Sequence, residues 1–210
     1  MPLQTYAKIQ NGVTMGLDTF ISLTFYMLII AITPGPNNIL ALNSMVNYGM
    51  LKAKKLILGI YAGFASIMIL CGYGAHLLTQ LLPNTLGILK VLGAGYVLYL
   101  AYKIAKSKPQ GLDSESENLG FFNTFFLQFV NVKIILYAVT IHISFVLPYY
   151  QSLFYTSAFI AYSILIGFLG IFVWIIAGIV LKAFLVKHYK IANLTMAALL
   201  VLSAVQILVG

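Results

Sequence analysis

Long apolar runs recur along this chain, and they constrain its fold more than any other feature. A helix crosses the hydrocarbon core of a bilayer with roughly 20 predominantly apolar residues. Six such runs are read here: residues 19–48, 56–81, 86–106, 119–146, 152–181 and 191–209. The expected fold class is therefore all-α, a polytopic membrane protein of about six transmembrane helices. Charged residues make up only 8% of the chain, against about 25% in a soluble domain. Mean hydropathy is +0.99. Nothing is left over for a second, soluble domain. Residues 1–18 read as a polar N-terminal extension and 19–210 as one membrane domain. Met15 is an alternative start. The first apolar run, Phe20 to Ile32, lacks the basic flank and small-residue cleavage site of a signal peptide. One sizeable polar loop remains, "KSKPQGLDSESEN" at 106–118, holding three of the four acidic residues.

The basic excess consists of 12 lysines. They fall mainly between apolar runs, where orientation signals belong, which argues against nucleic acid as a partner. Lys52, Lys54 and Lys55 follow the first run, Lys103, Lys106 and Lys108 the third, and Lys182, Lys187 and Lys190 the fifth. With six spans these connections share one face, and the opposite face offers only Lys8 and Lys90. The positive-inside rule puts the lysine-rich face in the cytoplasm and both termini outside. Cys71 stands alone in an apolar run, which excludes an internal disulfide or a CxxC pair and reads as apolar filler. No metal-ligating or cofactor-binding pattern is expected. Small residues (Gly59 and Gly63; Gly93, Gly95 and Ala101; Gly167, Gly170 and Gly178) mark expected helix contacts.

Two runs are interrupted. In "ITPGPNNILAL", residues 32–42, two prolines and a glycine precede Asn37 and Asn38. Proline lacks an N–H and clashes with the carbonyl one turn earlier. Non-helical backbone at membrane depth survives only when buried in protein or lining a wet cavity. The expected geometry is a helix ending near Ile32, a break, and a new helix capped by Thr33 with Pro34 in its first turn. The free donors and dipole of that helix start would form an anion site beside Asn37 and Asn38. In "FFLQFVNVKIILY", residues 125–137, Gln128, Asn131 and Lys133 interrupt the fourth run. Lys133 is the only lysine well inside a span. A charge there costs roughly 2.5–3.5 kcal/mol on insertion scales and points to function. The two anomalies occupy the first span of each set of three. Broken segments at corresponding places point to a transporter site between inverted halves, a 3+3 repeat, although no sequence repeat is visible.

At these residues the chain resembles the LysE/RhtB family of bacterial amino-acid exporters. "TPGPNNILAL" looks like that family's first-span signature, "LKVLGAGYVLYLAYKIAKS" at 89–107 its third span, and "FFLQFVNVKIILY" its fourth-span motif, with the similarity covering about residues 16–209. Val132 stands where most members have proline, so a softer second break is expected. The Asn-Val-Lys form and the following "FVLP" at 145–148 are similar to the cysteine/O-acetylserine exporter branch. The resemblance implies efflux of such a small neutral amino acid across the bacterial inner membrane. Homoserine/threonine or a basic amino acid is the alternative substrate.

An amino acid needs one partner for its carboxylate and one for its ammonium. The carboxylate is assigned to the helix start formed by Thr33, Pro34, Gly35, Pro36, Asn37 and Asn38, aided by Lys133. Backbone carbonyls at the break, Asn131 and Gln128 take the ammonium. No carboxylate lies clearly within a span. The expected coupling ion is H+, carried by Lys133 or His142, with His76 a further candidate. An intramembrane enzyme would need GxSxG, HExxH or a paired acid site, and none is present. A passive channel stays open at this point, as does a homo-oligomer.

Overall fold

A computed structural model describes residues 14–75, 91, 94–106 and 120–209, with side chains as far as Val205. Among these residues every regular element is helical. Helix α1 spans Leu17–Ile32 and α2 spans Pro36–Tyr73. Residues 94–106 form α3. Helix α4, Phe121–Leu127, runs into a 3-10 turn, Gln128–Val130. Helix α5, Val132–Val139, continues as a π-helix over Thr140–Val146. The chain ends with α6 (Leu153–Val180), α7 (Lys182–Lys187) and α8 (Tyr189–Val209). Most of the expected N-terminal extension, the end of the second run with His76, the start of the third with Lys90 and Gly93, and the loop after Lys106 lie outside the described residues.

Among the described residues, helices α2 and α6 are each long and apolar enough to cross a membrane, and the bent pair α4–α5 passes the same test when its two helices are taken together. Helices α1 and α8 are shorter apolar helices. At 1.5 Å per residue the 38 residues of α2 reach about 57 Å, far beyond a hydrocarbon core of about 30 Å. The helix is accordingly broken at Gly49, where φ is 70° and ψ is 173°. Only glycine takes that backbone without a steric penalty. The lysine-bearing connection expected after residue 48 is therefore a bend and not a loop. Met50, Leu51, Lys52, Ala53, Lys54 and Lys55 all favour helix, so it resumes at once.

Helix α2 is central, packing on α6, α4 and α5, while α1 packs on α6. Glycines set these contacts. A Cβ on Gly59 would overlap the Phe121 carbonyl and the Thr124 hydroxyl, and one on Gly63 would lie 2.6 Å from Gln128 Cγ. In α6, Gly167 receives the Phe64 ring, Gly170 meets Ala31, and Gly178 meets the Leu42 carbonyl. Without a hydrophobic force between helices in lipid, such close approach is what holds them. Gly95 departs from the expected small stripe and faces open space. Ala94, Val97, Leu100, Ala101 and Ile104 carry the buried face of α3 at helical spacing, and Gly95 falls off it. Leu165, Leu169, Phe172, Val173, Ile176 and Ile179 leave one side of α6 exposed and apolar, as a lipid-facing helix requires.

Candidate functional site

The first break begins where α1 runs out of partners. The last four carbonyls of a helix have no intrahelical donor. Here donors from several other elements reach the carbonyls at and beyond that end. Asn38 Nδ2 donates to Ala31 O at 2.8 Å and Thr33 O at 3.0 Å. Trp174 Nε1 of α6 donates to Ile32 O at 3.0 Å. Lys133 Nζ donates to Thr33 O at 2.7 Å. Ser203 Oγ of α8 donates to Pro34 O at 3.4 Å. The break is thus anchored by α2, α5, α6 and α8, which is how irregular backbone is tolerated at membrane depth.

The expected cap is corrected. Thr33 closes α1, with its hydroxyl on Ile29 O, and does not open α2. Gly35 is the N-cap of α2 and Pro36 occupies its first turn. Pro36 fits because its fixed φ suits that position and its missing N–H removes a donor that would have no partner there. Gly35 fits because a Cβ there would sit 2.8 Å from both Cδ and Nζ of Lys133. The glycine makes room for the lysine.

The second break is sharp. Helices Phe121–Val130 and Val132–Val146 are bent by 58° across Asn131, whose φ of −82° and ψ of 89° leave the helical region. The softer break expected from Val132 is not found. Three amides bind the two breaks instead. Asn37 Nδ2 donates to Gln128 Oε1 at 2.7 Å, and Gln128 Nε2 donates back to Asn37 Oδ1 at 3.0 Å. Asn131 Nδ2 donates to the same Asn37 oxygen at 3.1 Å. All three residues are buried. Gln128 is further tied to the Thr124 carbonyl at 3.0 Å.

Lys133 lies in the first turn of α5, the unfavourable end of its own helix for a cation, and meets the favourable carbonyl end of α1. Two cavities flank it. One, of about 30 Å³, is walled by Gly35, Pro36, Asn37, Asn38, Asn131 and Lys133, with Ile30, Ala31, Phe64, Ile134, Tyr137, Gly167 and Ile171. The other, of about 350 Å³, is walled by Tyr26, Ile30, Thr33, Pro34, Lys133, Leu136, Tyr137, Thr140 and Ser203. The smaller one joins a helix N-terminus, an ammonium and the buried Asn131 Oδ1, which has no hydrogen-bond partner. That combination sets donors for an anionic group beside an acceptor for a cationic one.

Among the described residues, every sequence-expected site residue except His142 belongs to this cluster, and His76 lies outside them. Gln128 reaches it through Asn37 and does not form part of either cavity wall. His142 is buried elsewhere, in the π-helical stretch, with its Cε1 facing Gly72 and no hydrogen-bond partner for either ring nitrogen. Tyr137, Trp174 and Ser203 are additions. Tyr137 falls one turn after Lys133, a spacing that marks it as a same-face neighbour. No local signal distinguishes Trp174 or Ser203, because their partners lie more than a hundred residues away.

The fold and site define a multi-pass helical membrane protein whose broken helices meet at a small, largely apolar cavity with a few polar groups in its wall. The LysE type translocator family profile matches residues 10–210. The chain belongs to that family. The cysteine/O-acetylserine efflux protein of Klebsiella pneumoniae is 39% identical over 184 residues, covering 88% of this chain and 94% of the relative. The protein so named from Salmonella typhimurium is 41% identical over 184 residues, covering 87% and 93%. That of Escherichia coli K12 is 38% identical over 185 residues, with the same coverage. No solved structure matches the chain.

Proposed function

We propose that this protein exports a small neutral amino acid of the cysteine/O-acetylserine kind from the cytoplasm across the bacterial inner membrane, by alternating access. The observation that carries this reading is the meeting of Lys133, the start of α2 and the unpartnered Asn131 Oδ1 at one cavity. The substrate carboxylate takes the backbone N–H groups of Asn37 and Asn38 at the helix start and the Lys133 ammonium. The substrate ammonium takes Asn131 Oδ1 and the Thr33 carbonyl, which Lys133 releases as it turns to the carboxylate. The cavity of about 350 Å³ on the other side of Lys133 leaves room for a small substrate to reach it. Thr33, Pro34, Gly35 and Pro36 shape the helix start, and Gln128 holds Asn37 in position. The names of the relatives favour this substrate class over homoserine, threonine or a basic amino acid.

The reading includes six spans in two inverted halves, each opened by a broken span, with both termini outside. Export is driven by a proton gradient, with Lys133 and His142 as proton carriers. The test is flux in substrate-loaded vesicles under an imposed pH gradient, comparing the native protein with Lys133→Ala. The variant should insert normally and lose export. Undiminished export by the variant overturns the site, and flux indifferent to the gradient makes the protein a passive channel.

A further inference from the structure

We infer that the cavity of about 350 Å³ is the exit path, by which a substrate released from Lys133 leaves toward the outer face, and that Thr140 and Ser203 line it. The inference rests on the exporter reading and on the orientation given with it. The cavity follows two antiparallel helices. Lys133 at the start of α5 is joined to the Thr33 carbonyl at the end of α1. Seven residues before Thr33, Tyr26 stacks on Tyr137 at 6.2 Å and on Phe145 at 5.9 Å. Going backwards along α1 and forwards along α5 therefore leads away from the break in one direction. The wall follows both helices that way, through Ile30 and Tyr26 on α1 and through Leu136 and Thr140 on the α5 side, with Ser203 of α8 beside them. Seven residues of helix span about 10 Å, so the cavity reaches about that far from Lys133 toward the level of Tyr26.

Exposure changes abruptly at the break. In the wall of this cavity only Tyr137 is buried, and every other residue is half-buried. Beyond the break, every residue from Gly35 to Leu42 is buried. That second side is closed by two kinds of contact. Asn37, Gln128 and Asn131 hold one another through their amides. Gly59 and Gly63 bring α2 onto the backbone of α4, and Gly178 brings α6 onto the Leu42 carbonyl. A solute crossing there would have to part buried amides and leave them unsatisfied. A transporter with alternating access exposes its site to one face at a time. Here the side leading to Lys52, Lys54 and Lys55 is shut, and the side leading toward the start of α1 has room.

The experiment uses Thr140→Cys and, separately, Ser203→Cys, each a change of very few atoms. A small methanethiosulfonate carrying a sulfonate, which does not cross membranes, is applied to right-side-out and to inverted vesicles. Cys71 is only 6% exposed, and the native protein serves as the blank. Transport is followed with O-acetylserine, which has no thiol to consume the reagent. Both variants should react in right-side-out vesicles and stay unlabelled in inverted ones. The reaction should abolish the export that each unlabelled variant shows. Labelling from the inverted side alone, labelling that leaves export intact, or labelling of neither variant when both are present in the membrane at native amounts overturns the exit path. Should one variant fail to reach the membrane, the other decides. Native vesicles that do not export O-acetylserine overturn the exporter reading instead, and the labelling still reports which face the cavity serves.

Discussion

At the scale of single residues, Gly35 and Lys133 form one unit. The glycine's φ of −165° is extended backbone open to any residue, so its need comes from contact and not from conformation. A methyl group at Gly35 would fall on the mobile end of Lys133 and on no backbone atom. The lysine can swing away, and the fold keeps its other anchors on the α1 carbonyls from Asn38 and Trp174. Gly35→Ala should therefore keep the fold and cost about 1–3 kcal/mol, the scale of a hydrogen bond lost by a charged group. The same change displaces the ammonium from Thr33 O and should lower export by about tenfold to a hundredfold, the scale of a misplaced binding group. Paired thermal melts and vesicle flux check this. A variant that melts normally and transports at the native rate would mean that the position of Lys133 does not matter.

At the scale of elements, the bend between α4 and α5 belongs to Asn131 and its amide partners. Val132 opens α5, where an N–H has no intrahelical acceptor, and Asn131 before it is already outside the helical region. Val132→Pro should be accepted, with the fold and export retained. Ile135→Pro, three residues on, removes the bond from Ile135 N to Asn131 O at 3.1 Å and should cost about 3 kcal/mol or more. Detergent melting of the two variants side by side makes the comparison; equal damage would refute it. This contrast also explains what the sequence could reveal. Prolines 34 and 36 announce the first break by their own chemistry. At the second break, Gln128, Asn131 and Lys133 are conspicuous as polar groups in an apolar run, but Val132 carries no sign of a bend. The bend depends on Asn37, more than ninety residues away, and a partner at that distance leaves no local trace. The apolar runs at 152–181 and 191–209 became α6 and α8 with little change, because length and hydropathy alone decide a helix in lipid. In the sequence, residues 49–55 read as a connection because lysines interrupt them. Lysine is also a good helix former, and only the positive φ of Gly49 parts the two segments.

At the scale of the whole molecule, the open question is how the broken first span sits in the bilayer. Helix α1 has 16 residues, about 24 Å, too short for a core of about 30 Å. Residues 36–48 add about 20 Å before the bend at Gly49, so the two pieces together suffice to cross. Two exposed positions bracket this unit, Asp18 in the first turn of α1 and Lys54 beyond Gly49. If the broken segment crosses, they lie on opposite faces; if it re-enters, they share one. Lys187 is exposed in α7, and four of the six expected spans separate it from Lys54, so those two should share a face. Cys71 is only 6% exposed, which keeps the native thiol quiet toward a bulky reagent. Cysteines placed one at a time at Asp18, Lys54 and Lys187 can then be probed with a membrane-impermeant maleimide. Asp18→Cys should label in intact cells, and Lys54→Cys and Lys187→Cys only after permeabilisation, as lysine-rich cytoplasmic connections require. Labelling of Asp18→Cys and Lys54→Cys from one side would make the first segment a re-entrant hairpin. Labelling of Lys54→Cys and Lys187→Cys from opposite sides would require an odd number of crossings between them, and the two inverted halves could not then be built from six spans.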